Sequence, residues 1–138
     1  GEGGVLEDAV GGGVSQTATT VYNAAFFAGL KIVTHAPHEF WITRYPPGRE
    51  ATVSWGGPEL IVENDWPAAV LVKAYDTGTS LTAQMYSAKL GRSVSTETFG
   101  DPAEGTAFSV EYTRVVRQSG TVKRDERYTW TYEAPPPG

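Results

Sequence analysis

The spacing of apolar residues changes once along the chain, at about residue 30. Before that point Val14, Ala18, Val21, Ala25 and Ala28 form a stripe at three- and four-residue intervals, with Tyr22, Phe26 and Leu30 alongside. This period predicts one helix over about 15–30, and the wide apolar face predicts that it is mostly buried. Gly29 is the stop signal. Ser15 stands where the N-cap is expected. Residues 1–13 are glycine-rich and read as a loop, with a short extended piece at Val5–Leu6.

Beyond residue 30 the pattern becomes that of strands and turns. Strands are predicted at 39–45 and 51–55 around Pro46-Pro47-Gly48, and at 59–63 ending on Asn64-Asp65. A hairpin of 69–75 and 80–86 is expected around Thr77-Gly78-Thr79, with a further strand near 93–99. Then Phe108, Val110 and Tyr112 alternate with Ser109, Glu111 and Thr113, the chain turns at Ser119-Gly120, and Tyr128, Trp130 and Tyr132 return on one face. The charged middle of this hairpin (Arg114, Arg117, Lys123, Arg124, Asp125, Glu126, Arg127) predicts a ribbon projecting into solvent. The expected fold is α+β and β-dominant: one buried helix, then antiparallel strands and a projecting C-terminal β-hairpin. The expected organisation is a domain over 1–105, a hairpin element over 106–134 and the start of a proline-rich linker at 135–138.

Composition narrows the partners. With 138 residues and 40% apolar content the chain is long enough to bury a core. A net charge of −5 argues against nucleic acid, whose phosphates need a basic face. No apolar run approaches the roughly 18–20 residues that span a bilayer. The absence of cysteine removes disulfides, thiolate metal sites and thiol nucleophiles. The chain opens on Gly-Glu-Gly-Gly without an initiator Met and reads as a processed or excised piece of something longer.

The densest candidate chemistry is Gly11-Gly12-Gly13 running into Ser15, Gln16 and Thr17. Glycines permit close approach, and a helix N-terminus presents unpaired N–H groups that would hold an anion or an oxyanion. A hydroxyl nucleophile on that first turn would have those groups beside it. The plainer reading makes Ser15 a cap and the glycines a turn. His35 and His38 flank Pro37, which opposes a shared helix, and no third ligand accompanies them, so no metal and no cofactor is expected. His38 stands as candidate base for Ser15 against a role bonding a backbone carbonyl, and for His35 the carbonyl role leads. Glu50 would orient His38 only across about 20 Å of extended ribbon, so an ion pair with Arg44 or Arg49 is the simpler role. Trp41, Trp55 and Trp66, with Tyr45 and Phe40, would line a groove for a sugar or peptide, or serve as core.

Four motifs in order, GlyGlyGlyValSerGln with ThrThrValTyrAsnAlaAlaPhePheAlaGlyLeu, HisAlaProHisGluPhe, TyrProProGlyArgGluAlaThrValSerTrpGly, and Leu60 to Asn64-Asp65, resemble the VanW family over about residues 10–87. The actinobacterial branch is closest in character, including ThrArgValValArg at 113–117. The resemblance implies a cell-envelope or extracellular protein. Some members look like L,D-transpeptidases of peptidoglycan, with a cysteine where this chain has Ser15. His38 matches the family histidine and Glu50 an acidic position that is usually Asp. Serine is a far poorer nucleophile than a thiolate, and only ten residues precede the glycine run here. The leading expectation is therefore an envelope module that binds without turnover, with Gly12, Gly13, Gln16, Thr17, Trp41 and Arg44 as binding residues. Its expected partner is a peptidoglycan stem peptide, another wall component, the missing N-terminal segment or another envelope protein. The alternatives are a transpeptidase-like acyltransferase using Ser15, His38 and Glu50, and a spacer or partner-docking domain of a larger surface protein.

Overall fold

The computed structural model describes the backbone of residues 2–42 and 45–137, and the side chains among these from residue 13 onward. The architecture is α+β and β-dominant, with one helix and three antiparallel sheets among the described residues. The chain forms two compact units, one of residues up to Ala36 with Glu50–Ser87, the other of Pro37–Arg49 with residues from Ala88 onward.

In the first unit, helix α1 (Glu2–Phe27) is followed by β1 (Lys31–Thr34), which pairs with β2 (Ile61–Glu63), and by a hairpin of β3 (Leu71–Asp76) and β4 (Leu81–Tyr86). Helix α1 packs on β4 and β1. Its buried face carries Ala18, Tyr22, Ala25 and Phe26, with Leu30, Ala51 and Trp66 closing the core. The helix ends one turn earlier than its apolar stripe suggests. Gly29 adopts φ 75°, the Leu30 N–H donates to the Ala25 carbonyl at 3.1 Å and the Gly29 N–H to Phe26 at 3.3 Å. This pair of bonds is a Schellman cap, which a left-handed glycine terminates without strain.

The start of α1 departs from expectation. The helix runs through Gly11–Gly13 from Glu2, so Ser15 is an interior residue and not the N-cap. The segment 51–55 is not a strand either. Its backbone groups are met by side chains and one loop: Thr19 Oγ1 accepts from the Ala51 N–H at 2.9 Å and donates to the Ala51 carbonyl at 3.3 Å, and the Thr52 N–H donates to the Ala36 carbonyl at 2.7 Å.

In the second unit, β5 (Arg92–Phe99), β6 (Phe108–Gln118) and β7 (Thr121–Tyr132) form one sheet with β6 central. The terminal hairpin is thus two strands of a three-stranded sheet. Its tight turn has Ser119 at φ 50° and Gly120 at φ 83°, the signature of a two-residue type I′ hairpin loop. Val110, Tyr112, Arg114 and Val116 are buried along one face of β6. The charged middle is not simply a solvated ribbon: Arg114 is fully buried, and Nη2 and Nε reach Glu126 Oε1 at 2.7 and 2.8 Å. Tyr128 Oη donates to Glu126 Oε2 at 2.8 Å, so both carboxylate oxygens are occupied, as a charge pair withdrawn from water requires.

Residues 39–42, expected in a strand, run as irregular chain beside this sheet. The Glu133 N–H donates to the Glu39 carbonyl at 2.9 Å. The Gly48 peptide is held by two tyrosines, its N–H donating to Tyr132 Oη at 2.7 Å and its carbonyl accepting from Tyr112 Oη at 3.1 Å.

Two glycines predict opposite outcomes. Gly48 has φ 76°, and an added Cβ would lie 2.8 Å from Tyr112 Cε1, whereas one on Gly13 would meet nothing within 4 Å. Gly48→Ala is expected to destabilise its unit by about 1–3 kcal/mol. Gly13→Ala is expected to stabilise the helical unit by about 0.5–1 kcal/mol, by removing chain entropy inside a helix. Chemical denaturation of the two variants checks both signs.

Candidate functional site

Within the first unit the structure brings Gly13, Gln16 and Thr17 of α1 against the tip of the β3–β4 hairpin. Together with Asp76, Gly78, Thr79, Ser80 and Leu81 they line a cleft of about 310 Å³. The tip is ordered by its own side chains. Asp76 Oδ1 accepts from the Gly78 N–H at 2.7 Å, Thr77 Oγ1 accepts from the Ser80 N–H at 3.1 Å, and the Thr77 and Ser80 hydroxyls lie 2.9 Å apart. Such Asx- and ST-type bonds fix a turn without a ladder partner. On the helix side Thr17 Oγ1 donates to the Gly13 carbonyl at 3.0 Å. The wall is thus amide, hydroxyl and carboxylate. Gly13 and Thr17 also border a second cleft of about 620 Å³, apolar in character, lined by Val14, Ala18, Val21, Val53 and Leu60.

The remaining expected residues divide between the units. Gly12 lies in α1. Ser15, one residue before Gln16, is only 8% exposed. In a helix interior the N–H groups around it are directed to carbonyls one turn back, so the expected oxyanion-holding first turn is not formed at Ser15. Glu50 is buried in the first unit with Ser15, and His38 belongs to the second. His38 stacks on Tyr45 at 6.1 Å and its carbonyl accepts from Trp130 Nε1 at 3.1 Å. Trp41 donates to the Tyr45 carbonyl at 3.1 Å and meets Phe108 edge-on at 5.5 Å. Arg44 lies outside the described residues. Among the described residues no group of three His, Asp or Glu is placed to hold a metal, and no helix is long and apolar enough to cross a membrane.

Asp76, Gly78, Thr79, Ser80 and Leu81 are not legible from the sequence as site residues, although the polar run Asp-Thr-Gly-Thr-Ser marks a hairpin tip. What recruits it is the packing of β4 on α1, a non-local contact that periodicity does not encode.

The histidine that engages the Glu50 segment is His35. Its Nε2 lies 2.5 Å from the Glu50 carbonyl, and the ring stacks on Tyr22 at 3.9 Å, 6° from parallel. A carbonyl only accepts, so Nε2 carries the proton. Burial lowers the His35 pKa below 6.5, outweighing the bond to the Glu50 carbonyl and the Glu50 charge, which act upward. With a depressed folded value, the unfolded chain takes up this proton first as pH falls. The His35 contribution is therefore fully present above about pH 6.5 and declines below it until the folded value is reached. Unfolding free energy measured from pH 7.5 to 5 is expected to fall, and His35→Phe, which keeps the stack, is expected to flatten that slope while lowering stability by about 1–2 kcal/mol at pH 7.5 through the lost hydrogen bond.

The sequence profile described as "VanW like protein" matches residues 2–86, which contain both clefts. An "Uncharacterized protein YoaR" of Bacillus subtilis (strain 168) is 42% identical over 84 residues, covering 61% of this chain. The chain spans only 28% of the length of that relative. No solved structure matches the chain.

Proposed function

We propose that this chain, which belongs to the VanW-like family, is a cell-envelope module that binds a peptidoglycan stem peptide in the cleft between α1 and the β3–β4 tip, without turnover. The observation that carries the reading is the division of labour along one helical turn. Gln16 and Thr17 face the open cleft with Asp76, Thr79 and Ser80, while Ser15 beside them is buried. A short peptide offers amides for the Gln16 and Ser80 side chains and small methyl groups for the adjoining apolar channel. Serine in place of a thiolate needs a strong adjacent base, and a buried helix-interior hydroxyl without free N–H groups beside it suits a structural role better than attack on an acyl carbon.

Titration of a synthetic stem pentapeptide by isothermal calorimetry tests this. Binding is expected in the unmodified chain and is expected to weaken about five- to tenfold in Gln16→Ala and in Ser80→Ala, each of which removes one hydrogen-bonding group. The peptide is expected to be recovered intact, with no acyl adduct on Ser15 by mass spectrometry. An adduct at Ser15 that disappears in His38→Ala would replace this reading with the acyltransferase.

A further inference from the structure

Both clefts leave Trp55 unexplained. The chain has four tryptophans, and three are committed to their own units. Trp66 is buried and donates its indole N–H to the Gly29 carbonyl at 2.9 Å. Trp41 donates to Tyr45 and Trp130 to His38, each at 3.1 Å. Trp55 is fully exposed, and it has no hydrogen bond or ring contact with another described residue. Both faces of a large apolar ring and its N–H donor are left to water, a placement that indole rarely adopts in a folded chain.

The ring is held out by a closed turn. The Gly57 N–H donates to the Ser54 carbonyl at 3.1 Å and the Ser54 N–H to the Pro58 carbonyl at 3.0 Å. Gly56 at φ 71° occupies the position of a type II turn that favours glycine, directly after Trp55. Val53 and Leu60, at the feet of this loop, line the apolar cleft on α1. A ligand contacting Trp55 therefore meets a ring whose backbone is already ordered, which lowers the cost of binding.

We infer that Trp55 is a stacking platform for the sugar rings of an uncharged glycan strand. A pyranose presents a face of C–H bonds that lies flat on an indole, and its hydroxyl or acetamide oxygens accept from the free Nε1–H. Charge selects among ligands with such a face. Glu59 is the one ionisable side chain within 51–60, so this turn offers no cation to an anionic polymer or an anionic lipid surface. The inference takes the source of the glycan, the cell wall, from the envelope reading above; the stacking itself uses a different part of the first unit from the polar cleft.

The probe is chitotetraose, a β-1,4 N-acetylglucosamine oligomer that carries no peptide. The unmodified chain is expected to bind it, with a change in the long-wavelength tryptophan emission that an exposed indole gives. Trp55→Ala is expected to lower the affinity about tenfold or more with an unchanged melting temperature, because nothing packs on the ring, and Trp55→Phe to retain part of it. Equal binding by Trp55→Ala, or no binding by the unmodified chain at about 10 mM sugar, overturns the proposal. So does a Trp55-dependent blue shift with phosphatidylcholine vesicles in place of the sugar, which would mark a membrane contact. Loss of stem-peptide binding with sugar binding intact overturns the cleft reading and leaves this one standing; the reverse result overturns this one alone.

Discussion

The helical unit turns on one hydroxyl. Thr19 Oγ1 both accepts from and donates to the Ala51 peptide, and this fastens the returning segment 50–52 to the face of α1. Buried peptide groups must find partners, and this segment has no strand beside it. Its carbonyl at Glu50 is taken by His35 and its N–H at Thr52 by Ala36. With those bonds made, Ala51 and the His35 ring can close over Tyr22, Ala25 and Phe26. An alanine at position 19 would leave both polar groups of the Ala51 peptide buried and unpaired, which is far more costly than the loss of one ordinary hydrogen bond.

The second unit uses the same device with aromatic donors. The irregular chain of 37–42 and 45–49 is secured through carbonyls of His38, Tyr45 and Gly48, which accept from Trp130, Trp41 and Tyr112. Trp130 and Tyr112 come from the sheet, where alternate residues of β7 and β6 point to one face, whereas Trp41 bonds Tyr45 within the segment itself. Val110 lies opposite Trp130, Tyr112 opposite Tyr128 and Arg114 opposite Glu126. The aromatic residues of this unit thus act as packing and as hydrogen-bond donors at once.

This device explains what the sequence disclosed and what it concealed. Gly29 as a stop, the Thr77–Thr79 and Ser119-Gly120 turns and the alternation in β6 are local signals, and each stands in the structure. Residues 39–42 and 51–55 are not strands, because alternating aromatic and β-branched residues look the same whether the backbone bonds to a strand or to side chains. Strand β1 was hidden behind the helix, since Lys31–Thr34 acquires its partner only at Ile61–Glu63. The candidate site was half legible. Gln16 and Thr17, expected from the glycine run, line the cleft, and Asp76, Thr79 and Ser80 join them only through tertiary packing. His35 was correctly expected to bond a carbonyl.

Ser15 is an interior helical residue, so the free N–H groups an acyl-transfer site would need are absent beside it, while Gln16 and Thr17 face the cleft. Amide hydrogen exchange read by NMR at Ser15, Gln16 and Thr17 tests this most directly. All three amides are expected to exchange about a hundredfold or more slower than in an unstructured peptide, as hydrogen-bonded helical amides do. Free exchange at these three, with protection beginning only further along the helix, would put Ser15 at a helix N-terminus and restore the free N–H groups that an acyl-transfer site needs.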